Sequence, residues 1–322
     1  MVNIKRSQKK SVYLFLTGGL GNQLFQYAAG SYLAEKQNLN LVADISTGSP
    51  RVDQMGTPEI FSFDLPLMDS INPIPFTTPL VSRICGYRLR RALNRKFMKR
   101  DSSNLLDFIF RDFWISISIR RFIKLFVSEE LGNVPLPNYR KSTYLIGYFQ
   151  TFYFAQYPRV YDSLMSLRLR NPNLEVAQYF ALSELEKPLI VHVRLTDYLS
   201  EVSFGIPSTK YYSDSISKQW DLGIYKKIWV FSDDIEGARQ KIPQDFHSNI
   251  RWISDADLDS ASTLQVMRFG HGYVIANSSF SWWGAYLSYK TNIKIIAPKP
   301  WFSGKEEPKD LIPLEWSRYE AY

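Results

Sequence analysis

The sequence predicts an α/β protein built on parallel sheet. Apolar runs of strand length alternate with helix-patterned segments from Pro188 to Ala297, polar clusters follow several of those runs at once, and a glycine-rich turn joins the first apolar run to the first helical pattern. Such alternation implies strands joined by crossover helices on both faces of a sheet, with ligands bound outside the strands' carboxyl ends. At 322 residues the chain exceeds the usual single-domain size, so two domains are expected, 1–160 and 161–322. Hydrophobic residues at 45% and aromatics at 15% suffice for two packed cores.

In chain order, Val12 to Leu16 is a buried-strand pattern, broken by Gly18, Gly19 and Gly21; Leu24, Phe25, Ala28, Ala29, Tyr32 and Leu33 then mark one face of a helix. Glycines there let backbone approach a ligand closely, although the spacing is neither the dinucleotide fingerprint nor the Walker loop. Leu39 to Ala43 reads as a second strand, and Ser46 to Pro79, rich in Pro, Ser and Thr, as irregular chain. A helix through Arg95, an alternating strand at Trp114 to Ile119 and a strand at Thr143 to Gln150 follow, with a linker at Pro158 or at Asn171-Pro172-Asn173. Beyond it, strands are expected at Pro188–Val193, Lys227–Phe231, Arg251–Ile253, Tyr273–Ala276 and Lys294–Ala297. Helices are expected near Thr209–Trp220, Ile235–Ile242, Ala261–Phe269 and Phe280–Lys290.

The stretch Tyr273 to Leu287 carries the strongest local signal. A short strand runs into Asn277, Ser278 and Ser279, which favour helix N-caps, and Phe280, Trp282, Trp283, Tyr286 and Leu287 continue at helical spacing. A strand that ends at a hydroxyl-rich helix N-terminus presents free N–H groups and a dipole end that suit an anion. An ordinary capped helix anchored by the two tryptophans is the alternative. The clusters His192 to Tyr198 and Ser232 to Asp234 sit at the carboxyl ends of two further strands.

Cys85 is the single cysteine, which fits a reducing compartment, and with three histidines no metal-ligand cluster of the usual spacings can be assembled. No stretch matches a signal peptide or a membrane span, so a cytoplasmic protein is expected. The net charge of +8 is uneven: from Arg83 to Lys124 twelve Lys or Arg face three Asp, a local +9, and the remainder is near neutral at −1. Interleaved with Phe97, Phe108, Phe110, Phe113 and Trp114, this segment reads as a surface for anions or as a solvated helix face.

GGLGNQLFQYA (Gly18 to Ala28), GYFQ (Gly147 to Gln150), HVRLTDY (His192 to Tyr198), FGIPSTKYY (Phe204 to Tyr212), FSDD (Phe231 to Asp234) and ANSSFSWWGAYL (Ala276 to Leu287) resemble, in order, the motifs of the α-1,2-fucosyltransferases of glycosyltransferase family 11. One position departs from that pattern: Leu195 stands where the family commonly has a second arginine, and alternation assigns it to packing. The resemblance implies two facing Rossmann-like domains of the GT-B type and a metal-free, inverting transfer of fucose from GDP-β-L-fucose to the 2-hydroxyl of a terminal β-galactoside. No resident cofactor and no nucleic acid are implied, and the basic segment suggests peripheral contact with the anionic inner face of a membrane.

Under that reading Arg194 and Asp197 are the catalytic candidates, Arg194 as a fork on the departing phosphate and Asp197 as general base. His192, Asp233, Asp234, Asn277, Ser278, Ser279, Phe280, Gly18, Gly19 and Gly21 are expected on the donor, with Asp234 reading the guanine edge unless it caps the next helix. Asn22 and Gln23 are expected on the acceptor. Two other readings compete: a metal-dependent GT-A transferase using Asp255-Ala256-Asp257, and a non-catalytic nucleotide- or glycan-binding module.

Overall fold

The computed structural model describes residues 10–44, 51–52, 56–69, 124–128, 131–138, 142–196, 204–254, 258–308 and 310–322. The helix expected through Arg95, the strand expected at Trp114–Ile119 and nearly all of the basic segment lie outside them. Two sheets organise the chain. In the first, β1 (Ser11–Phe15), β2 (Asn40–Asp44), β3 (Lys124–Val127) and β4 (Thr143–Ile146) pair in parallel in the order β2-β1-β4-β3. In the second, β5 (Leu189–Val193), β6 (Ile228–Ser232), β7 (Ile250–Ser254), β8 (Gly272–Val274), β9 (Lys294–Lys299) and β10 (Ser317–Glu320) pair in parallel in the order β10-β9-β8-β5-β6-β7. That is the doubly wound order, and its direction reverses between β5 and β8, where a crevice for ligand opens.

Helix α1 (Leu20–Gln37) follows β1 directly. Between the sheets run α2 (Phe152–Ala155), α3 (Pro158–Met165) and α4 (Leu174–Glu186). The second domain adds α5 (Thr209–Trp220), α6 (Ile235–Lys241), α7 (Ser260–Met267) and α8 (Ser279–Tyr286). Side-chain caps start most of them: Asn173, Ser208, Asp234, Asp259 and Ser278 each accept a backbone N–H of the first turn.

One apolar cluster takes in Val12 and Leu14 of β1, Phe25 of α1, Val160 of α3, Ile190 of β5, Trp229 of β6 and Trp282 and Trp283 of α8, and so crosses both sheets. The ring of Phe25 lies 4.7 Å from Trp282 and 4.8 Å from Trp283, and α1 packs directly on α8. A second cluster fills the far face of the larger sheet, where Leu189, Val191 and Val193 alternate with Ile190 and meet Tyr211, Tyr212 and Ile216 of α5. Residue 160, the expected junction, falls within α3, and α3 packs on α1.

The chain between the sheets is pinned. Leu169 bridges Phe63, and the N–H of Arg170 bonds the carbonyl of Ser62 at 2.9 Å. Arg268, fully buried, donates to the carbonyls of Leu287 (3.0 Å), Leu167 (2.9 Å) and Met165 (3.1 Å), and so ties the C-terminal end of α3 to α7 and α8. Burial holds its pKa down at about 10, so it is a cation satisfied mainly by carbonyl dipoles. The expected strand Thr143–Gln150 stops at Ile146, because Gly147 to Gln150 turns, with Phe149 at φ 52. β10 and α4 are elements that the periodicity does not reveal.

Candidate active site

The site forms where β5 and β8 end and the glycine turn of the first domain faces them. Alternation along β5 aims His192 to the same side as Ile190, toward α8, where its ring lies 6.1 Å from Phe280. His192 is 3% exposed and its Nδ1 has no hydrogen-bond partner. Burial, aided by Arg194 and opposed by Asp233, lowers its pKa to about 3, so the ring is neutral at physiological pH.

Asp233 organises the exit from β5. Register places Ser232 beside Val193, so the next carboxylate reaches the turn that leaves β5. Oδ1 accepts the N–H of Leu195 at 3.0 Å, and Oδ2 accepts the N–H of Thr196 at 3.0 Å and its hydroxyl; the Nε of Arg194 lies 3.3 Å from Oδ2. Burial opposes ionisation, but the Thr196 hydroxyl, Arg194 and the two amides together hold this carboxyl below its usual range. Asp234 caps α6 through the N–H of Gly237 at 3.0 Å. Of the two roles weighed for Asp234, guanine reading or helix cap, the structure displays the cap. Neither Asp233 nor Asp234 lines the cleft, because the β5 exit turn and the first turn of α6 claim them. Leu195 packs as expected, 6% exposed in the α5-side cluster.

At the end of β8, Ser278 caps α8 through the N–H of Phe280 (3.3 Å). Asn277 spends its amide on the carbonyls of Phe204 (2.8 Å) and Gly205 (3.0 Å), holding that loop over the site. Ser278, Ser279, Phe280, His192 and Arg194 all line one cleft. Its opposite wall comes from the first domain. A Cβ on Gly21 would lie 2.6 Å from the N of Phe280, so only glycine lets the N-terminus of α1 touch that of α8, and the indole N–H of Trp283 bonds the carbonyl of Gly21 at 2.9 Å. Gly18 sits at φ +73, and Gly19 lines the cleft with open space where a side chain would stand.

Asn22 also lines the cleft and accepts from Gln150 Nε2 at 2.8 Å. Gln23 does not face an acceptor as expected: it is fully buried, donates to the carbonyls of Gly18 (2.9 Å) and Arg51 (3.0 Å) and accepts from the N–H of Ile60 (2.9 Å). Following Asn22 on a helix, it points inward and locks the glycine turn. Asp197 and Asp255 to Asp257 lie outside the described residues, and no group of three His, Cys, Asp or Glu clusters among the described ones.

The cleft has a volume of about 1290 Å³, beyond the 300–1,000 Å³ usual for one small ligand, so it has room for two substrates. Residues missed by sequence reasoning line it too. Phe204 and Phe302 lie 5.6 Å apart, with Lys305 4.2 Å above the Phe204 ring, and Glu59 stands near the glycine turn. Phe204 and Gln150 fall within matched motifs; Glu59 comes from a stretch with no periodicity at all.

Known proteins resemble this chain over nearly its whole length. Over 323 residues the chain is 29% identical to an α-1,2-colitosyltransferase of Escherichia coli, covering 95% of this chain and 97% of that protein. It is 26% identical over 315 residues to the O-antigen biosynthesis glycosyltransferase WbnK of Escherichia coli, covering 92% and 97%. The solved structure of the NodZ α-1,6-fucosyltransferase soaked with GDP-fucose shares the fold, with a TM-score of 0.50 at 15% identity over 87% of this chain and 93% of that one. The model of glycosyl transferase family 11 matches residues 11–318, both sheets included. The chain thus belongs to glycosyltransferase family 11, a glycosyltransferase of GT-B architecture.

Proposed function

We propose that the protein transfers L-fucose from GDP-β-L-fucose to the 2-hydroxyl of a terminal β-galactoside, with inversion and without a metal. The observation that carries this reading is the convergence of Arg194, the capped N-terminus of α8 and the neutral His192 on one cleft. As GDP leaves, negative charge grows on its β-phosphate. A guanidinium and a fixed helix N-terminus stabilise that charge without reorganising. Asp233 fixes the guanidinium through its Nε, and a neutral His192 adds a hydrogen-bonding group without a competing cation. Across the cleft, Asn22, held by Gln150, suits the acceptor sugar.

Transfer of colitose is a second reading, favoured by the colitosyltransferase among the relatives. The test is incubation with GDP-fucose or GDP-colitose and a panel of β-galactosides, with the linkage of the product determined. Fucosylation at O2 that persists in excess EDTA is expected. Preference for GDP-colitose would favour the second reading, and a strict need for Mg²⁺ or Mn²⁺ would overturn the metal-free one.

A further inference from the structure

We propose that Glu59 is the general base of the transfer, the group that takes the proton from the acceptor hydroxyl; the assignment rests on the reaction proposed above. In an inverting displacement the acceptor oxygen bonds the anomeric carbon as the bond from that carbon to the β-phosphate oxygen breaks. GDP departs with the electron pair, and the hydroxyl proton needs a base on the acceptor side. Among the described residues that line the cleft, the carboxylates are Glu59 and Asp259. Asp259 caps α7 through the N–H of Ser262 at 2.7 Å.

Glu59 opens a 3-10 turn, Glu59–Ser62, that lies between the domains. Its Oε2 accepts the N–H of Leu20 at 2.8 Å, the first residue of α1 beside the glycine turn, and its Oε1 accepts the Ser260 hydroxyl at 2.8 Å, the first residue of α7 in the other domain. The carboxylate therefore sits on the seam where an acceptor bound by the first domain meets a donor bound by the second. Two bonds fix its direction. A carboxylate has about four acceptor positions, so capacity remains for a substrate hydroxyl. At 7% exposure it is screened from bulk water yet still borders the cleft. Burial raises its pKa; Ser260, Arg51 and the Leu20 amide oppose the rise and Asp259 adds to it, so the group is a stronger base than an ordinary carboxylate.

The full-length protein tests this with GDP-fucose and a soluble galactoside. Glu59→Gln keeps shape and should lower kcat for transfer by roughly 100-fold or more, while KM for the donor and slow hydrolysis of GDP-fucose stay within about 3-fold of wild type. Ser260→Ala removes a bond that lowers the pKa of Glu59, so the acid limb of its kcat profile should move to higher pH, a shift that a purely structural tie would not produce. Transfer by Glu59→Gln within about 3-fold of wild type, joint loss of donor binding and hydrolysis, or an unmoved acid limb in Ser260→Ala would each overturn the proposal. Should Glu59→Gln fail to fold, the Ser260→Ala profile decides alone. A wild-type protein that transfers to no galactoside overturns instead the function proposed above.

Discussion

At the scale of single residues, Arg194 shows how a charge is aimed. Its Nε is held 3.3 Å from Asp233, whose carboxylate also fastens the Leu195 and Thr196 amides, so the guanidinium is positioned before substrate arrives. Arg194→Ala should lower kcat by about 100-fold, the scale for losing one preorganised donor, with little change in melting temperature. His192 gives a pH signature of stability. Its folded pKa of about 3 lies below the free value of 6.5, so from pH 6.5 downward the unfolded chain takes up a proton that the folded chain refuses. Its contribution is complete above pH 6.5 and declines as pH falls toward 3, at about 1.4 kcal/mol per pH unit. Denaturant midpoints measured from pH 7 to 4 should fall more steeply for wild type than for His192→Gln; parallel slopes would show that the ring is hydrated. Asp233, held below its usual range, adds a loss of the same sign under more acidic conditions.

At the scale of elements, the contact between α1 and α8 sets the spacing of the two walls. In Gly21→Ala the new methyl meets the backbone of Ser279 and Phe280 at 2.6 Å, which no rotamer change relieves, so the helices must separate. The expected cost is about 1–3 kcal/mol with reduced transfer, read by thermal melting and steady-state assay. Arg268 tests the other tie. Arg268→Lys keeps the charge but cannot reproduce the fork that reaches Met165, Leu167 and Leu287. It should destabilise by roughly 3 kcal/mol or more, because each buried carbonyl left unmatched costs about 1–3 kcal/mol. A melting temperature equal to wild type would mean that water replaces the guanidinium.

At the scale of the molecule, the apolar cluster that runs through both sheets couples the domains. Domains that share so apolar an interface unfold together rather than in turn. Calorimetry should show one transition, and a fragment ending at residue 160, cut inside α3, should not fold alone; two resolved transitions would contradict the shared core. The local +9 charge from Arg83 to Lys124 carries a further expectation, since each basic side chain near an anionic surface is worth about 1 kcal/mol. Co-sedimentation with anionic liposomes at low salt, lost at high salt and after replacing Arg90, Arg91, Arg95 and Lys96 with Gln, is the expected result. Indifference to such liposomes at low salt would rule out membrane contact through that segment.

Sequence alone determined what local physics fixes. The βα alternation, the start of α5 at Thr209 and the N-cap serine before α8 follow from period, capping and strand-end polarity, and those features also locate His192, Arg194 and Ser278 at the strand ends. Tertiary structure decided what depends on which donors a side chain meets. Asp233, Asp234 and Gln23 carry groups suited to a ligand, yet each meets backbone amides or carbonyls of its own chain first. The helix α4 stayed hidden because Leu174, Phe180 and Leu185 put apolar side chains on its exposed side and blur its period. Glu59 stayed hidden for a plainer reason: its partners, Leu20 and Ser260, are 39 and 201 residues away, and no spacing within its own segment encodes contacts made only when two domains close on each other.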